Sequence, residues 1–177
     1  MSLKKAIAGV LTIGFMIASA TSLHSPSYAQ DAKIKTAMEI LRSKAEKLGP
    51  AKIEGTDTVS GKKVPAIYFG SAKQDNNFAL VDDVAKAAGG IATIFVKSGD
   101  EFVRVATNLK GNDGNRAIGT ILDPNGKATA SLKKNEAFYG DVDILGKPYT
   151  GGYEPIHDAG LNVIGIYFVG YSKVVAN

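Results

Sequence analysis

The sequence predicts an α+β fold, and three observations carry that prediction. An amphipathic helical pattern of four to five turns comes first, at residues 31–48. Two β-branched segments, IATIFVK and EFVRVATN, flank a Ser98-Gly99-Asp100 turn and read as a hairpin. The last third is strand-like, at residues 137–145, 148–156 and 161–169, the final two joined by a tight turn at 157–160. Consecutive strands linked by hairpins build an antiparallel sheet rather than the alternating βαβ of a parallel one.

Taken in order, the first helix places Ile34, Met38, Leu41, Ala45 and Leu48 on one side and lysines and glutamates on the other. Asp31 is positioned to cap its start, and Gly49-Pro50 ends it. Residues 51–63 are polar and contain glycine, which predicts a loop with a short strand. The run VPAIYF at 64–69 reads as a strand whose Pro65 suits an edge or a strand start, because proline donates no ladder hydrogen bond. Asp75, Asn76 and Asn77 offer caps to a helix at 78–88, closed by Gly89-Gly90. A Gly, Asn and Asp-rich loop follows at 109–116, then a brief apolar stretch at 118–122, a turn at 123–126 and a small helix over 127–136.

Composition narrows the function. The chain has 177 residues, 45% hydrophobic and 21% charged, with a formal charge of +4, which suits one globular domain. Residues 1–29 read as a signal peptide: Lys4-Lys5, an apolar run over 6–20, and small Ser27 and Ala29 ahead of a cleavage point. Removing it leaves 19 basic and 17 acidic residues in the domain at 30–177, a charge of +2 with scattered basic residues. That is no nucleic-acid footprint. The expected location is periplasmic or secreted, after cleavage near Ala29.

Catalytic and metal chemistry find little support. Cysteine is absent, and His157 is the single histidine beyond residue 29, so thiolate, zinc and haem sites lack their ligands and a Ser/His/Asp arrangement has one turn to draw on. Asp141 and Asp143 alternate along a presumed strand, where solvated carboxylates are the plainer reading than an acid/base pair. The loop NDGN at 112–115 lacks the downstream glutamate of a calcium loop, and no G-x-G-x-x-G phosphate motif occurs. We expect no enzyme activity, no metal and no cofactor.

A recognition surface is what the residues leave. By strand alternation Phe102, Arg104 and Ala106 share one face, and Val103, Val105 and Thr107 the other. Arg104 therefore sits mid-strand among apolar residues, where a guanidinium needs water, a carboxylate or an anionic ligand. Tyr149, Gly151 and Tyr153 share a face of a later strand that Lys147 leads into, and Gly151-Gly152 leave room there. Two readings stay open. A solvated arginine, cross-strand tyrosine packing and a glycine bulge form the first. The second is a concave, mostly apolar pocket with one fixed cation, suited to a small anion.

The ordered segments FGSAKQDNNFALVDDVAKAAGGIATIFVKSGDEFVRVATN, RAIGTILD and EAFYGDVDILGKPYTGGYEPIHDAGLNVIGIYFVG resemble the single Cache domain. The nearest type is the Cache 3/Cache 2 fusion found outside the membrane in methyl-accepting chemotaxis receptors, with a core match over residues 64–170. The resemblance implies a PAS-like five-stranded antiparallel sheet, a long helix behind it and a ligand pocket in front. Related sensors for citrate and C4-dicarboxylates hold carboxylates through a strand of the type R-x-x-H. Here that strand keeps Arg104 and has Thr107 in the histidine's place. Those sensors also carry an arginine where this chain has Gly151, four residues before Pro155. With one cationic contact missing, the resemblance points to a small organic ligand, a carboxylate, amino acid or similar, held by Arg104, Thr107, Lys147, Tyr149 and Tyr153. Receptors of this family continue into a second membrane helix and a signalling region, whereas this sequence ends at Asn177. The expectation is a stand-alone sensory domain linked to chemotaxis or signal transduction. Its expected partners are a membrane receptor or sensor kinase, and a second copy through the amino-terminal helix. The alternative is a ligand-free module docking onto such a receptor.

Overall fold

The computed structural model describes residues 26–173 and comprises three helices and eight strands. Helix α1 (Pro26–Leu48) starts five residues before the expected point, with Pro26 in the first helical position, where its missing N–H costs nothing. Asp31 therefore lies inside the helix rather than capping it. Most of the predicted signal peptide lies outside the described residues, and the predicted cleavage point after Ala29 falls within α1. Among the described residues no helix is long and apolar enough to cross a membrane.

Strand β1 (Ala51–Val59) corrects the reading of residues 51–63 as mostly loop: it is a nine-residue strand paired antiparallel with β2 (Lys62–Phe69), and β2 pairs in turn with the short β3 (Ala72–Lys73). Its side chains are mostly exposed, so no hydrophobic alternation marks it, and backbone pairing across the tight turn after Val59 sets its conformation. Helix α2 (Ala79–Ala88) follows, and Asn77 Oδ1 accepts the Ala79 N–H at its entrance.

The main sheet holds β4 (Ile91–Ser98), β5 (Glu101–Thr107), β6 (Phe138–Ile144), β7 (Lys147–His157) and β8 (Val163–Ser172), all antiparallel in the order β5-β4-β8-β7-β6. This is the α+β, PAS-like five-stranded arrangement expected from the resemblance. Helix α3 (Lys127–Leu132) is shorter than its predicted range.

Both faces of the sheet are covered, which is why β4, β5 and β8 read as nearly continuous apolar runs. Behind it, Ile34, Met38 and Leu41 of α1 and Leu80, Val81 and Val84 of α2 pack on Ile94, Val96, Val105 and Val169. In front, Leu109, Leu122, Ala128 and Leu132 from the 109–122 segment and α3 pack on Phe95, Tyr149, Tyr153, Ile166 and Phe168. Helix α1 is also tied polarly to the sheet: Arg42 and Tyr139 both donate to the Glu154 carboxylate, the arginine at 3.2 Å.

A bulge in β5 breaks the expected alternation. Ile94 pairs with Ala106 and Phe95 with Arg104, leaving Val105 extra. Val105 and Ala106 both enter the rear core, so Ala106 does not share a face with Arg104. Thr107 instead pairs with Thr93 at 2.7 Å between hydroxyls, on the front side with Arg104.

Candidate functional site

Arg104 lies on the front face of β5, 4% exposed, with its guanidinium over the Phe95 ring at 4.9 Å from the centroid. The solvated arginine of the first reading is thereby excluded. Among the described residues no carboxylate pairs with it. Its Nη1 donates to the Thr120 hydroxyl and, at 3.5 Å, reaches the Ala117 carbonyl, while Nε is buried without a partner. Burial without a counter-charge pulls its pKa down to about 10, since removal from water penalises the charged form.

The segment supplying these acceptors is a strap over the edge of β5. The Arg104 N–H donates to the Thr120 carbonyl (2.9 Å), the Gly119 N–H to the Arg104 carbonyl (2.8 Å) and the Leu122 N–H to the Phe102 carbonyl (3.0 Å). The sheet edge is thus closed by residues 119–122. Upstream, Arg116 anchors the strap through a two-pronged ion pair with Asp82 of α2, at 2.7 and 2.9 Å.

Between strap, α3, β6 and β7 lies a cavity of about 470 Å³, within the size range of small-molecule sites. Arg104 and Tyr153 form its buried floor, Ile121, Leu122, Val142 and Ile144 its apolar wall, and Asp123 and Lys127 its mouth; Asp141 and Asp143 border it along β6, but the register puts their side chains on the other face of the sheet with Thr150 and Pro148. Tyr153 is 2% exposed, and burial holds its hydroxyl well above the usual tyrosine range, with Arg104 pulling weakly the other way. A neutral phenol beside a buried guanidinium offers a donor and a cation to one anionic group, in apolar surroundings where both interactions gain strength.

Of the five residues singled out in the sequence, Arg104 and Tyr153 therefore line one cavity. Thr107 is fully buried and engaged with Thr93, the Ala92 carbonyl and the Leu109 N–H, away from the cavity lining. Tyr149 packs in the front core and Lys147 stands exposed, and neither lines the cavity; Lys127 is the lysine at its mouth. The room expected at Gly151 is filled from within. A Cβ there would sit 2.6 Å from Phe168 Cε2, and one at Gly170 2.5 Å from Phe168 Cζ, so the Phe168 ring lies across both glycines. At Gly152 a Cβ would meet Tyr139 at 2.5 Å.

Thr120, Asp123 and Lys127 were not foreseen. Asp123 and Lys127 line the cavity and Thr120 holds the Arg104 guanidinium from the strap; the Val103–Ile121 bridge seats that strap on β5, and the one sequence signal for it is the apolar stretch at 118–122 after the polar loop. His157 bonds Asn135 at 2.7 Å, and among the described residues no cluster of acidic and histidine side chains is arranged to hold a metal ion.

Compared with known families, residues 17–176 match the model of the Cache 3/Cache 2 fusion domain. No curated protein matches the chain.

Proposed function

The chain belongs to the Cache 3/Cache 2 fusion domain family, whose members are extracytoplasmic sensory modules, and from that premise we propose that it binds a small carboxylate-bearing molecule in the cavity in front of its sheet, without catalysis. The observation that carries the proposal is Arg104. A guanidinium 4% exposed, with no paired carboxylate among the described residues and a buried unpartnered Nε, is a costly arrangement in a fold whose other buried polar groups are largely satisfied. An anion on the cavity floor supplies the missing partner, with the Tyr153 hydroxyl as a second contact. The absence of an arginine at Gly151 favours one carboxylate over two.

In this reading the protein is exported by residues 1–29 and serves chemotaxis or another sensory pathway through a membrane receptor or sensor kinase. A homodimer through α1 would use the helix's exposed side, because Ile34, Met38 and Leu41 are buried against this chain's own sheet.

A thermal-shift screen of the purified protein against small carboxylates, followed by calorimetry, tests the proposal. A ligand at about 100 times its dissociation constant adds roughly 2.7 kcal/mol of stability. Arg104→Ala should abolish the response, and Tyr153→Phe should weaken it while keeping the fold's circular dichroism. A carboxylate bound equally well by both variants would remove the cavity from consideration. A protein that no metabolite stabilises, but that captures a membrane receptor, would favour a docking module.

A further inference from the structure

One border of the cavity is an open sheet edge. Strand β6 is the last of the five, and no further strand pairs with it. The hairpin to β7 fixes which of its backbone groups face that edge. Leu145 and Gly146, at φ 53° and 80°, form a two-residue turn of the kind that closes on a hydrogen-bonded pair, here Ile144 and Lys147. Bonded and open pairs alternate along an antiparallel ladder, so Val142 bonds Tyr149, whereas Asp143 opposite Pro148 and Asp141 opposite Thr150 do not. Pro148 agrees with this parity. It has no N–H to give, and its carbonyl accepts the Lys173 N–H at 3.0 Å, on the side away from β6. The N–H and C=O of Asp141 and Asp143 therefore point outward from the sheet, and among the described residues none of the four has a hydrogen-bond partner. Both residues border the cavity with their side chains on the other face, so backbone is what they offer it.

Resting on the reading of Arg104 as a carboxylate site, we propose that the ligand is the carboxy-terminal end of a short peptide, its carboxylate on Arg104 and Tyr153 and its amides on the open edge at Asp141 and Asp143. A peptide backbone carries a donor and an acceptor on each residue, which is what the edge leaves free, and extended peptides join sheet edges in this way. A sphere of the cavity's volume is about 10 Å across. An extended residue advances about 3.3 Å, so roughly two or three residues reach from floor to edge. The wall of Ile121, Leu122, Val142 and Ile144 favours small aliphatic side chains on them. A simple fatty acid satisfies Arg104 but leaves the edge to water.

Calorimetric titration of the full protein with four probes tests this: N-acetyl-dialanine, its carboxamide, its form methylated on both peptide nitrogens, and hexanoate, a carboxylate without amides. N-acetyl-dialanine should bind most tightly, and both the carboxamide and the Arg104→Ala variant should lose binding. Asp143→Pro removes one edge N–H at a position whose ladder partner needs none, and Asp141→Pro does the same two residues away. Each should weaken the peptide about two- to tenfold, the worth of a hydrogen bond, and leave hexanoate unchanged, while Asp143→Asn, which keeps the N–H, should leave both unchanged. Methylation of the peptide nitrogens should cost a similar factor with the protein unaltered. Hexanoate binding as tightly as the peptide, with both lost in Arg104→Ala, would overturn the peptide assignment and leave the Arg104 site standing. So would a methylated peptide that binds as well as the parent, or a peptide affinity that both proline variants keep. Binding of no carboxylate, or binding indifferent to Arg104→Ala, would overturn both.

Discussion

Arg104 meets Thr120 twice: its backbone N–H donates to the threonine carbonyl at 2.9 Å, and its guanidinium donates to the threonine hydroxyl, which itself donates to the Ala117 carbonyl at 2.8 Å. One residue of the strap thus fixes both the edge of the sheet and the side chain on the cavity floor.

Thr120→Val keeps the shape and removes the hydroxyl. The guanidinium then retains only the long contact to Ala117, and a buried charged donor loses its acceptor, a loss of about 1–3 kcal/mol. Thr120→Ser should hold within about 1 kcal/mol of the native protein, since the hydroxyl stays. Denaturant unfolding measures both, and hydrogen exchange should show residues 117–122 opening more readily in the valine variant. Equal stability of the two variants would show that the hydroxyl does not hold the strap.

Asp75 predicts a pH dependence. Its carboxyl is 2% exposed; Oδ2 accepts the Ile67 N–H at 2.9 Å and Oδ1 is unpartnered. Burial pushes its pKa from 3.8 to about 6. A folded pKa above the unfolded one means that the native state holds the proton more tightly. The contribution is therefore full below about pH 4 and is lost as pH rises through 6. Asp75→Asn keeps an acceptor for Ile67 and should flatten the decline between pH 4 and 6, on the order of 2 kcal/mol. The neighbouring Lys73–Asp57 pair works in the opposite sense and in a lower window, because Lys73 holds the Asp57 carboxyl below its ordinary range and that contribution fades as pH falls. Urea midpoints at pH 4, 5, 6 and 7 for both proteins check this, and parallel curves would refute it.

Phe168 predicts a packing coupling. Its ring is fully buried, stacks on Tyr153 with centroids 4.4 Å apart and covers Gly151 and Gly170. Phe168→Ala should cost about 3–5 kcal/mol. Gly151→Ala should cost about 1–3 kcal/mol through overpacking against the ring and the Val169 carbonyl, 2.9 Å from the new Cβ. Because the two sites touch, the alanine should be tolerated better beside Phe168→Leu than alone. Additive losses in the double variant would place the glycine's constraint elsewhere.

What the sequence made legible follows from which forces are local. The periodicity of Ile34, Met38 and Leu41 and the turn at Gly99 reveal helix and hairpin because each pattern lies within one segment. Arg104 and Tyr153 stand out because a cation and a phenol among apolar strand residues need partners. Strand β1 escapes because it is polar, exposed and held by pairing with β2. Lys147 and Tyr149 share a strand with Tyr153, but the exposed start of β7 keeps the lysine in solvent and the front core takes the tyrosine. Thr120 and Lys127 belong to segments folded back over the sheet, and nothing within those segments announces the Val103–Ile121 bridge.

The extra residue in β5 has a consequence for chain length. Side chains along a strand count in twos, so positions 104 and 107 are of opposite parity, and a regular ladder would turn one of them to the helices. The bulge adds the odd step that returns Thr107 to the side of Arg104. Deleting one residue at Val105 or Ala106 would remove the bulge and leave the arginine and the threonine two steps apart on one face of a regular ladder, whereas keeping all four residues and losing the bulge would carry the 107 hydroxyl into the aliphatic layer. The relation of Arg104 to position 107 is therefore inherited as a count of residues as much as a choice of them.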